Sequence, residues 1–221
     1  MIDHLLLRIY FIRRLLVDRH LRKYIRKIMR SQIPKDDSRN HPKEHKSMSG
    51  HHITMLSRYI IASDMVTGKK VLDTGCGFGW GSYILSLKAE EVLGIDINEN
   101  SISYAASNWE AKNLSFGICS VLDLGKFQSD VVDVVTSMEL IEHFTWADGL
   151  KYFREIFRVL KYGGVLFGSS SFGDGNTKKR LMTNDPEHKY IYSEDELKRI
   201  LEGIGFMDVE MTKGWLFKAR K

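Results

Sequence analysis

The sequence predicts a doubly wound α/β fold: a mostly parallel sheet with helices on both faces and an antiparallel hairpin strand at one edge. Three observations predict it. From about residue 48, short apolar runs of strand length alternate with stretches of helical periodicity. The run VVDVVTS at 131–137 is nearly all β-branched, as a central strand buried on both faces should be. The last residues read as two short strands, 207–212 and 215–219, around the turn Lys213-Gly214, which adds a reversed strand.

Taken in order, residues 1–30 carry nine Lys/Arg and two Asp/Glu, a local charge of +7, while the remaining 191 sum to −2. The overall +5 therefore belongs to one segment and does not argue for a nucleic-acid-binding domain. Arg8, Arg13 and Arg14 break every apolar run short of the ~20 residues of a membrane span. From Val17 the spacing is that of an amphipathic helix. Val17, Leu21, Tyr24, Ile25 and Ile28 share one face, with Arg19, Arg22, Lys23, Arg26 and Lys27 on the other. Such a helix either lies peripherally on an anionic membrane or packs on the domain, or a second subunit, with its basic side solvated. Residues 31–47 hold two of the three prolines and little that is apolar, so they read as a linker to one domain over 48–221. The two distant cysteines, Cys76 and Cys119, suit neither a metal site nor a disulfide framework, which points to a reducing cytoplasm.

Within the domain, residues 55–65 form a helix leading to a buried strand at 69–74. The turn Asp73-Thr74-Gly75-Cys76-Gly77-Phe78-Gly79 follows, then a helix at 79–87. A strand at 91–96, a helix at 99–112 and a strand at 114–118 precede the central strand 131–137. Thr145 with Asp148 caps a helix over 147–160 that stops before Gly163-Gly164, and 165–169 is the next strand. Ser193 and Glu196 form a capping box for a helix to about Leu201. Residues 172–190 are the longest irregular stretch and are expected to form a lid. Its Lys178, Lys179 and Arg180 either attract an anionic acceptor or are merely solvated.

The chemistry begins at the glycine turn. Glycines at 75, 77 and 79 directly after Val71-Leu72-Asp73 let the chain turn sharply and let a ligand approach the backbone, and the next helix offers free N–H groups. Asp96, ending the strand in Gly94-Ile95-Asp96-Ile97, is placed to hold both hydroxyls of a ribose. A dinucleotide fingerprint needs a glycine where Trp80 stands, and Asp73 is a poor neighbour for a pyrophosphate. It suits a cofactor that carries an ammonium and a sulfonium.

Residues 53–206 resemble the class I S-adenosylmethionine-dependent methyltransferase family, in particular its small-molecule branch. VLDTGCGFGWGS, GIDIN, DVVTSMELIEHF and RVLKYGGVLFGSS carry the likeness. The resemblance implies a Rossmann-like seven-stranded sheet with a reversed final hairpin and S-adenosyl-L-methionine as methyl donor. It implies that Asp73, Gly75, Gly77 and Gly79 face the methionine part, that Asp96 holds the ribose and that Ile97 packs on the adenine. The family's acid after the third strand falls at Ser120, beside Val121 and three residues before Asp123, and Tyr162 replaces a usual proline.

Methyl transfer from a sulfonium is an in-line displacement that depends on alignment, and a hydroxyl acceptor also needs a base. Glu139, Glu142 and His143 form an ExxEH pattern that shares one face if the segment is helical, and His188 in Asp185-Pro186-Glu187-His188 is a later partner. Glu142, His143 and His188 are the catalytic candidates. The same set resembles the Mg²⁺ site of small-RNA 2′-O-methyltransferases, yet many relatives carry Glu-His without metal, and no metal is assigned. Lesser candidates are His51 and His52, which either border the substrate pocket or lie on the surface. Arg58-Tyr59 falls where relatives approach the cofactor carboxylate, or is a solvated arginine and a packed tyrosine. Phe78 and Trp80 either wall the site or, for Trp80, pack the first helix against the sheet. The expected function is methylation of a small-molecule, glycan or lipid-linked acceptor, at oxygen. Alternatives are RNA 2′-O-methylation, which the −2 charge of the remaining chain disfavours, and a non-catalytic partner subunit that binds the same cofactor.

Overall fold

The computed structural model describes residues 13–14, 18–30, 50–173, 188–212 and 215–221. Val17, the linker, residues 174–187 of the expected lid with Lys178, Lys179 and Arg180, and the turn Lys213-Gly214 lie outside them, as do the side chains of His51 and His52.

Helices α1 (Arg19–Arg30) and α2 (Gly50–Met65) precede the alternating unit β1 (Lys70–Thr74), α3 (Trp80–Ser86), β2 (Glu91–Asp96), α4 (Glu99–Asn108) and β3 (Leu114–Ile118). Then come β4 (Val132–Met138), a 3₁₀ turn (Ile141–His143), α5 (Trp146–Val159), β5 (Leu160–Ser169), α6 (Glu194–Ile204), β6 (Met207–Thr212) and β7 (Leu216–Arg220). The strands form one seven-stranded sheet in the order β3-β2-β1-β4-β5-β7-β6. β1 to β5 are parallel, and β7 runs antiparallel to both β5 and β6. Helix dimensions allow no membrane span among the described residues.

Each face of the sheet buries its own apolar layer. One gathers Leu56, Ile60, Ile84, Leu85 and Trp109 under α2 and α3; the other gathers Tyr152, Phe153, Ile156, Tyr192 and Leu197 under α5 and α6. α1 joins the first layer through Leu21, Ile25 and Ile28. Tyr24 meets Tyr83 edge-on at 5.1 Å, and the Lys27 ammonium lies 4.7 Å over the Tyr83 ring and 5.1 Å over Trp109. For residues 19–30 the apolar face is thus spent on the domain, and its basic side is left outward.

The caps behave as the sequence predicts: Thr145 accepts from Asp148 N–H, and Ser193 accepts from Glu196 N–H. Two boundaries differ. α4 ends at Asn108 because Trp109 turns extended to bury its ring and donate Nε1–H to the Phe78 carbonyl at 2.7 Å. β5 begins at Leu160, before Gly163-Gly164. Leu160 already pairs with Val132, and the register then slips to Val134 opposite Val165. A side chain at Gly164 would meet the Lys161 and Asp133 carbonyl oxygens at 2.7 and 3.1 Å, so the glycine pair makes a bulge within the strand, not a break before it.

Candidate functional site

The strand order reverses at β1, whose neighbours are β2 on one side and β4 on the other. Connections leave there in opposite directions and open a crevice beyond the strands' carboxyl ends. The glycine turn forms its floor. Gly75, Gly77 and Gly79 all have positive φ, and the turn closes through Cys76 N–H to Ile95 O and Gly79 N–H to Cys76 O, both 3.0 Å. Gly79 is packed from behind: a Cβ there would sit 2.6 Å from both Ala105 Cβ and the Phe116 ring. Gly77 is open, with nothing within 4 Å of where a Cβ would be. α3 spans fewer than two turns, so the turn's own backbone carries the approach to a ligand, not a helix dipole.

Asp96 clips this floor to the next loop. Its Oδ2 accepts Gly77 N–H and its Oδ1 accepts Asn98 N–H, each at 2.9 Å. One bond per oxygen leaves lone pairs on both for two further donors. Beside it Ile97 is 73% exposed, and Ile118 at the end of β3 is 51% exposed. Two exposed aliphatic side chains next to a ribose-type acid provide an apolar surface for a planar base. Ser120 is half-buried and its hydroxyl accepts Leu122 N–H at 3.3 Å; Val121 is in the core and Asp123 is exposed.

Asp73 departs from its expected place at the ligand's edge. Its carboxylate is wholly buried, taking Ser82 Oγ on Oδ2 and Thr136 Oγ1 on Oδ1, both at 2.6 Å, with the Tyr59 hydroxyl at 3.4 Å. Burial lifts its pKa to about 6 against those three donors. It acts on the crevice by fixing the start of the turn. Sequence reasoning missed Ser82 and Thr136 in this role; Thr136 stands directly across from Asp73 in the β1–β4 register. Phe78 and Trp80 belong to the core, with Trp80 edge-on to Tyr59 at 5.0 Å, so they do not wall the crevice.

On the acceptor side, the ExxEH segment is not one helical face. Only Ile141–His143 forms a turn, and Glu139 precedes it with φ 49°, a left-handed conformation rare for a side-chain-bearing residue. Glu139 is held there by Arg58 Nη1 at 2.7 Å and by Ser169 Oγ at 2.9 Å, and the guanidinium lies 5.4 Å over Trp215. Arg58 is therefore a buried partner of the crevice wall, where the sequence left it open between site and surface. Glu142 is fully buried and accepts Ser170 Oγ at 3.0 Å, while its other oxygen, Oε1, has no hydrogen-bond partner. Burial first, and the Glu139 charge second, push its pKa to about 8.

The Glu142 carbonyl also accepts Lys189 N–H at 2.8 Å and Tyr190 N–H at 3.3 Å. That pairing brings His188 beside His143, with ring centroids 5.1 Å apart and edge to face. Of the three candidates, His143 and His188 thus lie ring against ring, while the Glu142 carboxyl is buried on Ser170 and meets the His188 segment only through its backbone carbonyl. A divalent ion shared by both glutamates fits poorly, because the Glu139 carboxylate is committed to Arg58 and Ser169. Among the described residues, no three His, Cys, Asp or Glu side chains converge as a metal site.

The buried acid makes a pH prediction. A carboxyl raised from 4.5 to about 8 keeps its proton in the folded chain while the unfolded chain loses it, so stability falls between about pH 5 and 8. Glu142→Gln should remove that slope: matched stability near pH 5 and a higher urea midpoint than wild type at pH 8. Each pKa unit is worth about 1.4 kcal/mol, so the gap reaches a few kcal/mol at most. Parallel pH profiles for the two proteins would contradict the assignment.

A family model described as a methyltransferase domain matches residues 72–168. A probable S-adenosylmethionine-dependent methyltransferase of Mycolicibacterium smegmatis is 32% identical over 147 residues, 66% of this chain and 55% of that protein. A ubiquinone biosynthesis O-methyltransferase of Coxiella burnetii is 32% identical over 114 residues, 51% of this chain and 48% of that protein. The chain spans about half the length of these curated relatives. The crystal structure of a SAM dependent methyltransferase from Archaeoglobus fulgidus superposes with a TM-score of 0.62 at 20% identity, covering 75% of this chain and 91% of that one.

Proposed function

We propose that the domain is a class I S-adenosylmethionine-dependent methyltransferase, and that the chain methylates a hydroxyl of a small-molecule, glycan or lipid-linked acceptor. The observation that carries the reading is the Asp96–Gly77 clip, which leaves two free acceptor positions beside open backbone and exposed Ile97. Asp96 takes the ribose hydroxyls, Ile97 and Ile118 take the adenine, and the open face of Gly77 admits the methionine arm. Ser120 borders the adenine end, and Val121 packs behind it in the core. When bound, S-adenosylmethionine supplies an electrophilic methyl group on a sulfonium.

What the chain adds is alignment and a proton acceptor. His143 and His188 stand together at the carboxyl end of β4, where an imidazole nitrogen of this pair would take the acceptor's hydroxyl proton as the methyl group leaves sulfur for its oxygen. Glu142 is a positioning residue: its backbone carbonyl holds the segment that bears His188. The RNA reading was suggested by the ExxEH pattern with a later histidine, and the Arg58–Glu139 pair already engages one carboxylate of that pattern.

Turnover with methyl-labelled S-adenosylmethionine over a panel of phenolic, sugar and lipid-linked hydroxyls tests the proposal. His143→Ala and His188→Ala should each lower kcat by about 10²-fold or more on the acceptor found, with S-adenosylhomocysteine affinity within about threefold of wild type. Unchanged kcat in both variants would remove the pair from the mechanism. Label transferred only to RNA would overturn the acceptor class.

A further inference from the structure

The cationic side of α1 has no role in the catalytic reading, and its surroundings set what it can do. The helix is fastened to the domain by Leu21, Ile25 and Ile28 and by Lys27 across two aromatic rings. Its outward stripe, Arg19, Lys23 and Arg26, is exposed, and none of the three has an ion-pair partner among the described residues. The helix contains no acid. Cations three and four residues apart on one stripe repel one another, a cost of a few tenths of a kcal/mol per pair that an anionic surface would remove.

The chain on the N-terminal side narrows the partner. Arg14 pairs with Asp64 at 3.0 Å, which ties the chain just before α1 to the end of α2. Residues 5–17 read LLLRIYFIRRLLV, ten apolar or aromatic side chains and three arginines. As a composition, leucine, isoleucine and aromatics interleaved with arginine favour a lipid interface. A nucleic-acid surface has no use for that apolar content. The rest of the chain, at −2, adds no general attraction to polyanions.

We infer that the Arg19, Lys23 and Arg26 stripe of α1 is a peripheral docking surface for anionic membrane, lying on the lipid headgroups with the catalytic domain held above them. The inference is independent of which hydroxyl is methylated.

Flotation of the full chain with vesicles tests it, using phosphatidylcholine alone against phosphatidylcholine with roughly one-third phosphatidylglycerol. The protein should float with the anionic vesicles, bind neutral ones at least tenfold more weakly, and be released as salt rises. Arg19→Ser/Lys23→Ser/Arg26→Ser changes only outward side chains. It should keep the far-ultraviolet spectrum and thermal midpoint of wild type while anionic-vesicle binding falls by about 10²-fold. Equal binding of that variant, no preference for anionic lipid, or tighter capture by a short RNA than by the vesicles would overturn it.

Discussion

Asp96→Ala should weaken binding of S-adenosylhomocysteine by at least about a hundredfold, measured by calorimetry on the folded variant. Two hydrogen bonds from ribose hydroxyls to a carboxylate are each worth about 1.5–3 kcal/mol, and both vanish together. The variant also frees Gly77 N–H and Asn98 N–H, so the floor of the crevice loses its clip to the following loop. Asp96→Asn keeps one acceptor oxygen and should fall between the two. Wild-type affinity in the alanine variant would move the ribose site elsewhere.

Gly79→Ala should cost about 3 kcal/mol of stability, read as a shift in urea midpoint at constant slope. Two costs add. The residue sits at φ 75°, where a side-chain-bearing residue is strained, and its Cβ would enter a space held by Ala105 and Phe116 at 2.6 Å. Gly77→Ala is the contrasting case. At φ 50° it carries the strain, about 1–2 kcal/mol, but meets no neighbour, so the methyl projects into the open crevice. It should therefore keep most of its stability and lose ligand affinity. Equal stability losses in the two variants would contradict the division between a packing glycine and a ligand-facing one.

These contrasts show what the sequence carried. The alternating pattern, the reversed terminal hairpin, the turn at Asp73–Gly79 and the acid at Asp96 were legible because each is a local feature with its own periodicity or chain geometry. The inside of the site was not. Nothing in a string with 33 Lys and Arg marks Arg58 as the one buried against Glu139. The pair forms only when α2 crosses the end of β4. Likewise, an acid before a glycine turn reads as a ligand contact, and only the register of β1 with β4 and the seat of α3 beside β1 reveal that Thr136 and Ser82 enclose Asp73. The ExxEH spacing suggested one helical face, but Glu139 adopts a left-handed backbone to reach Arg58, which takes it off that face. For α1 the apolar stripe was readable and its partner was not. A stripe that fits lipid also fits Tyr83 and Ile84, and packing decided.

The central claim is that the crevice between β1 and β4 is built for S-adenosylmethionine and not for a dinucleotide. Calorimetric titration of the full chain with S-adenosylhomocysteine, and separately with NAD, tests it most directly. Saturable one-to-one binding of S-adenosylhomocysteine, at least about a hundredfold tighter than NAD, is the expected result. Absence of S-adenosylhomocysteine binding, or NAD bound as tightly, would contradict it.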